Sequence, residues 1–519
     1  MTLRVAIVGG GISGLAALEY LTRVEPSLPV TLLEASPRLG GHIRSERSGG
    51  FLMEAGPDVI LAAKPAAVEL ARRVGIGDRL QGTNPAARGS YIMSGAGLRR
   101  MPDGMTGLVP SRMMPFVTTP LISPLGKLRV GMEYLIPPKR DAGDESIEEF
   151  VVRRLGREMY QRLVEPLLSG ISAGDGAKLS MRAMFPQLVA YESEYGGLVR
   201  GMLRVKREQR QLPPRRQEQR EQEQRRQGQR NDEAKATANH ATANTAPSRM
   251  GFLSFPEGLQ ELVTAVEREV RRRDPAGTRI AIRTGARVER IERAETAPGE
   301  SAGYRVLLAN GESLAADAVI MATAGYVSAA ALRGVDDDLA ALLREIEYAS
   351  TVTISVAYPE SAVPKRLDAT GYVAPRVFKR DVLACTWVSS KFNGRAPAGH
   401  VLFRLFLGGA GRGSYIERGD AELLEIVRRE MREVMGIAAD PELVQVNRFD
   451  RAMPQYNVGH LERVARIAAQ AARHPGLALA GAASGGVGIP DCVKSGERAA
   501  TAVLAWLAQR HPTEVGSKT

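Results

Sequence analysis

The residues with the clearest chemical meaning in this chain are glycines rather than acids, bases or nucleophiles. Gly9, Gly10, Gly11, Ile12, Ser13 and Gly14 follow a β-rich run at 4–8 and lead into a helix-forming stretch at 15–21. In this context GxGxxG has a mechanism. Its first glycine permits a tight turn, Gly11 lets the backbone approach a pyrophosphate, and Gly14 allows close helix packing. The helix start adds free N–H groups and a positive dipole end. A second β-rich run, 30–33, ends at Glu34, twenty residues after Gly14, where a carboxylate can accept ribose hydroxyls. The order strand, glycine turn, helix, strand, acid predicts a dinucleotide site. These residues alone leave the choice between NAD(P) and FAD open.

Other segments must hold that site together. Residues 284–291 alternate as a strand does, and 317–323 read as a strand returning beneath the cofactor. Residues 146–169 carry apolar side chains at helical spacing, with Ile147, Phe150, Val151, Leu155, Tyr160, Leu163 and Leu167 on the inward face. In contrast, 101–128 is rich in Met, Pro, Gly and Leu without clean periodicity, which predicts irregular apolar loops lining a pocket or lying on a membrane surface. From 205 to 248, Gln, Arg and Glu give way to Ala, Thr and Asn. Such a composition cannot bury enough apolar surface to offset its ordering entropy, so a disordered insertion is expected there.

Bulk properties narrow the class. A chain of 519 residues with 44% hydrophobic and 25% charged content has the average make-up of a soluble multidomain enzyme. Cys385 and Cys492 are its only cysteines and lie far apart, so neither a disulfide framework nor a zinc site is implied, and no other metal motif stands out. The start reads directly into a strand, which predicts a protein that is not exported. No apolar run is long enough for a spanning helix. The net charge of +12 suits nucleic acid, an anionic membrane surface or an acidic substrate and does not choose among them; nucleic acid is not the expected partner.

After Glu34 and Ala35 come Ser36-Pro37-Arg38-Leu39-Gly40-Gly41-His42, and later Gly56-Pro57-Asp58-Val59. These runs resemble the flavin signatures of the amine-oxidase superfamily, which includes amine oxidases, phytoene desaturases and protoporphyrinogen oxidases. Residues 479–496, with Val487, Gly488 and Ile489, are similar to the last flavin segment of the porphyrinogen oxidases, as are 170–174, 185–187, 252–259 and 453–456. The resemblance runs from about 5 to 500 and is greatest to the soluble Gram-positive type, which acts mainly on coproporphyrinogen III. It implies non-covalent FAD held by the residues named, with Arg38 and Gly40-Gly41 near the phosphates and His42 as a backbone contact. It further implies Val288 beside the adenine, Phe449 near the cofactor, and Val487 to Ile489 at the flavin ring. Cys492 then reads as a packed thiol. Arg88 is the candidate ligand for a substrate carboxylate, with Arg99, Arg100 and Lys178 as further rim positions.

The fold expected is α/β: a discontinuous Rossmann-type FAD-binding domain (1–75, 249–318 and 455–519), a mixed α+β substrate domain (76–90, 172–204 and 319–454) and an inserted helical domain (91–171). The activity implied is oxidation of coproporphyrinogen III with oxygen as acceptor and no catalytic side chain acting as a strong base. Alternatives are a protoporphyrinogen IX oxidase, another amine oxidase or desaturase, and a non-catalytic flavoprotein. A cytoplasmic location, peripheral contact at the inner face of the membrane and contact with a haem-pathway partner enzyme complete the expectation.

Overall fold

A computed structural model describes residues 3–106, 109–110, 113–141, 143–211, 251–294 and 303–510. Its first layer is a parallel sheet of five strands in the order Ile280–Arg283, Val30–Leu33, Val5–Val8, Ala318–Met321, Leu477–Leu479. Period-two alternation divides the two cores. Val5, Ile7, Leu32 and Ile320 pack against the helices Ile12–Val24, Gln260–Arg273 and Ile489–Arg510. Ala6, Val8, Leu33 and Met321 face the helices Gly325–Ala331 and Asp337–Arg344 and a three-stranded antiparallel sheet at Val288–Arg293, Tyr304–Leu308 and Ser313–Ala316. Burial on both faces is why these strands read as unbroken apolar runs.

The second half is a seven-stranded sheet in the order Leu443–Pro454, Tyr348–Pro359, His400–Gly408, Ala384–Trp387, Gly371–Val373, Tyr91–Ser94, Gly97–Arg100. One face, with Val352, Ile354, Phe403 and Leu405, closes an apolar core under the helix Asp420–Glu430. The opposite face carries the buried polar residues Thr353, Ser355 and Arg404. Thr353 Oγ1 donates to the Ala55 carbonyl at 2.8 Å and Arg404 Nη1 to the Glu54 carbonyl at 2.8 Å, so this polar face docks the sheet onto the segment leading to 56–59.

Several expected boundaries move. Strand Ala318–Met321 lies inside the five-stranded sheet, so the break drawn at 318/319 cuts an element, and the helices to Arg344 belong to the same half. Residues 91–100 are sheet strands rather than the start of a helical domain. The helix expected at 146–169 is broken: Ile147–Leu155 ends at Gly156 (φ +95°), and a wide turn at Tyr160–Val164 shifts the phase. Leu168 therefore takes the buried place assigned to Leu167. In 101–128 the loops give way to helices at Met113–Thr118 and Pro124–Gly131, the second capped by Ser123, whose Oγ accepts from Gly126 N at 3.0 Å. Residues 284–287 form a turn around Gly285 (φ +67°), and the strand starts at Val288. Helix Leu198–Gln211 extends into the expected insertion, whose remainder lies outside the described residues.

Candidate functional site

The glycine turn combines two tight contacts with one open position. Gly9 has φ +108°, and a Cβ there would stand 2.7 Å from the Ala322 carbonyl oxygen. On Gly14 a Cβ would fall 1.9 Å from the Gly9 carbonyl oxygen. Gly11 differs, since its φ is −69° and a Cβ would meet no protein atom within 4 Å. Its backbone faces open space at the start of a helix whose first N–H groups have no partner within the helix. Ile12 and Ser13 are buried behind it, and a Cβ on Gly496 would stand 2.0 Å from the Ser13 carbonyl oxygen, so the C-terminal helix crosses here almost backbone to backbone.

Glu34 is oriented by the turn it serves. Its carboxylate accepts from Gly10 N at 2.6 Å and Ser36 N at 2.8 Å, which leaves acceptor capacity for a ribose diol. Ala35 is exposed beside it. Ala286 N donates to the Glu34 carbonyl at 2.8 Å, bringing half-buried Val288 to the same sheet edge.

Arg38 donates to the carbonyls of Leu39, Ile43 and Gly41 at 3.0, 2.9 and 2.5 Å, and so holds the loop that carries Gly40 and Gly41. Gly40 N donates to the Gly10 carbonyl at 2.9 Å, and a Cβ on Gly41 (φ +57°) would lie 3.2 Å from the Gly11 Cα. The two glycine segments therefore line one cleft. His42 follows, with its ring edge-on to Phe449 at 5.8 Å. His42 is itself exposed, but the protein atoms crowded around it and then the Arg38 guanidinium lower its pKa, so the imidazole is neutral at pH 7. A Cβ on Gly56 would be 2.1 Å from the His42 carbonyl oxygen, which places half-buried Pro57, Asp58 and Val59 beneath that loop.

The C-terminal segment closes this side. Val487 and Gly488 are half-buried, and Ile489 is buried at the start of the last helix. Gly486 N donates to the Tyr456 hydroxyl at 2.8 Å, which in turn donates to the Ala482 carbonyl. Burial pushes the Cys492 thiol up to about 11, so it stays protonated and packed. Asp491 in the helix's first turn pairs with Lys64 at 2.7 Å, a contact not foreseen from the sequence.

Behind 56–59 lies a buried charge cluster. Lys391 Nζ donates to Asp58 at 2.6 Å, Arg404 stands 3.8 Å from Asp58, and Arg395 stands 3.6 Å from Glu54. Of these, only Asp58 was read from the sequence as part of the site. A lone Arg404 inside the apolar run 401–407 was a legible signal, because a cation there must be paired.

Two of the substrate-side candidates are joined, Arg100 Nη1 donating to the Arg88 carbonyl at 2.7 Å. Arg88 is exposed in a loop whose backbone N donates to the Asp368 carbonyl at 3.1 Å, and its Nε donates to the Pro85 carbonyl at 3.1 Å. Among the described residues no hydrogen bond or ion pair joins its side chain to the cleft. Arg100 is paired with Asp368 at 2.8 Å, and Lys178 lies 3.9 Å from Glu347.

Residues 12–504 match the family model described as flavin containing amine oxidoreductase. The chain is 34% identical to the coproporphyrinogen III oxidase of Bacillus subtilis (strain 168), over 97% of this chain and 98% of that one. It is 28% identical to the chloroplastic protoporphyrinogen oxidase 1 of Arabidopsis thaliana, over 98% of this chain and 89% of that one. A solved structure from Exiguobacterium sp. 255-15 superposes with a TM-score of 0.78 at 29% identity, covering 98% of this chain and all of that one.

Proposed function

The chain belongs to the flavin-containing amine oxidoreductase family, and from that premise we propose that it oxidises coproporphyrinogen III to coproporphyrin III with oxygen as acceptor. Its cofactor is FAD. The observation that carries the substrate choice is the full-length similarity to the coproporphyrinogen III oxidases, which covers the glycine cleft and the seven-stranded sheet alike and exceeds that to the plant protoporphyrinogen oxidase.

The residues of the cleft fit FAD. In this reading Gly9 to Gly14 and the helix start hold the pyrophosphate, Glu34 the ribose, and Val288 the adenine side. Gly40 and Gly41 would lie near the phosphates, and His42, Gly56 to Val59, Phe449 and Val487 to Ile489 around the flavin. Arg38 acts by holding the 39–43 loop in shape. When bound, FAD would supply the redox chemistry, accepting as hydride equivalents the six electrons removed for each porphyrin, with oxygen as the final acceptor. This chain orients and shields the tetrapyrrole. The pyrrole protons leave to solvent or backbone carbonyls, with no side chain of the cleft assigned as their base. Arg88 is the proposed contact for a substrate propionate.

Steady-state turnover tests the substrate choice. Coproporphyrinogen III should give a kcat/KM at least about tenfold above that for protoporphyrinogen IX, a difference of roughly 1.4 kcal/mol in transition-state stabilisation. Equal or reversed preference would remove the claim of a coproporphyrinogen enzyme while leaving the family intact.

No helix among the described residues is long and apolar enough to cross a membrane. A narrower contact is proposed from the helices Met113–Thr118 and Pro124–Gly131, which bury Phe116 and Val130 yet expose Met114, Val117, Leu125 (78%) and Leu128. Leu135 (75% exposed) extends that apolar face, and Arg140 and Arg200 lie exposed nearby in the chain or packing. We place it at the cytoplasmic membrane surface, where a haem-pathway partner enzyme could meet it. Co-sedimentation with anionic vesicles should be lost in Leu125→Asp/Leu128→Asp with turnover in solution unchanged, and equal co-sedimentation of both proteins would refute the contact.

A further inference from the structure

The charge buried behind 56–59 does not balance. Among the described residues, Lys391, Arg395 and Arg404 face two acids, Glu54 and Asp58, while Glu257, which also acts on Arg395, is engaged by Arg47. Burial pushes the Glu54 carboxyl up, against the opposing pull of the Ser45 hydroxyl and Arg395. Lys391 and Asp58 reach solvent at the edge of the cluster, but exposure is only 1% for Arg395 and 3% for Arg404, so the surplus sits on two guanidinium groups shut away from water.

The hydrogen bonds are also incomplete. Arg395 Nη2 donates to Ser254 Oγ at 2.8 Å and the Phe255 carbonyl at 3.1 Å, and Arg404 Nη1 to the Glu54 carbonyl at 2.8 Å. Arg395 Nε and Nη1 and Arg404 Nε have no acceptor, and the 3.6 Å from Arg395 Nη1 to Glu54 is too long for one. Both arginines line a cavity of ≈ 10 Å³, about the space of one water, together with Glu54, Asp58, Ser355, Phe392 and Leu402. That volume suits a single small species.

We infer that this cavity binds one small monovalent anion of the halide type, held by the Nε–H groups of Arg395 and Arg404. Guanidinium nitrogens only donate, so the unmet requirement is for an acceptor. A water molecule could accept from them but would leave the extra positive charge in place. A halide does both, and a carboxylate-sized anion exceeds the volume. The inference is independent of which porphyrinogen is oxidised.

Crystals of the FAD-loaded protein grown in sodium bromide should show an anomalous peak between Arg395 and Arg404, lost in Arg395→Met. In solution, chloride should raise the melting temperature of the wild type saturably over acetate at equal ionic strength. Because the wild type carries both readouts, poor folding of the variant cannot obscure the answer. A cavity without a bromide peak, or melting curves that coincide in chloride and acetate, would overturn the site.

Discussion

Gly11→Ala is expected to fold normally and yet lose its flavin. The added methyl meets no protein atom within 4 Å and the backbone there has φ −69°, a conformation open to alanine, so the apoprotein should melt as the wild type does. The same methyl occupies the space at the helix start where the pyrophosphate is proposed to lie, and FAD affinity should fall about 100-fold, equivalent to roughly 2.7 kcal/mol. Gly14→Ala makes the contrast, because its methyl would strike the Gly9 carbonyl at 1.9 Å and should disrupt the fold itself. Titration of both apoproteins with FAD, followed by flavin fluorescence and thermal melting, separates the two effects. Unchanged FAD affinity in Gly11→Ala would mean that the cofactor lies elsewhere.

Asp58→Asn should cost about 3 kcal/mol of folding stability at pH 7, at the low end for a broken buried pair because the carboxylate is 20% exposed. Burial alone would raise the Asp58 pKa, but Lys391, Arg404 and Arg395 outweigh it and hold the group at about 2. A carboxylate whose folded pKa is depressed stabilises the protein above its unfolded value and loses that contribution as pH falls through the folded one. The gap between wild type and variant should therefore be full at pH 5 to 7 and narrow from about pH 4 toward 2. Urea unfolding at each pH with FAD in excess measures it. Lys391→Met in the Asp58→Asn background should cost less than in the wild type, because the partner has already gone. Additive losses would show that the pair is not coupled.

The cofactor half was legible because its constraints are local. Gly9, Gly11 and Gly14 each answer one geometric demand within a single turn, and Glu34 follows at a distance set by one strand–helix–strand unit. The sheet that docks onto the flavin side was less legible. Phe449 and Arg404 reach it through pairing of Leu443–Pro454 and His400–Gly408 with Tyr348–Pro359, and local patterning carries no information about such distant partners. Gly156 was visible inside the expected helix at 146–169, but its left-handed φ depends on a packing decision that periodicity does not encode. Likewise the helices Met113–Thr118 and Pro124–Gly131 turn a second apolar face outward, and that pattern lacks the polar stripe by which a surface helix is recognised.

The most direct measurement follows the visible absorbance of the bound flavin under anaerobic conditions after mixing with coproporphyrinogen III or protoporphyrinogen IX. Rapid bleaching by coproporphyrinogen III, faster than by protoporphyrinogen IX and reversed when oxygen is admitted, is the result expected. A flavin that stays oxidised with both would contradict porphyrinogen oxidation by this chain.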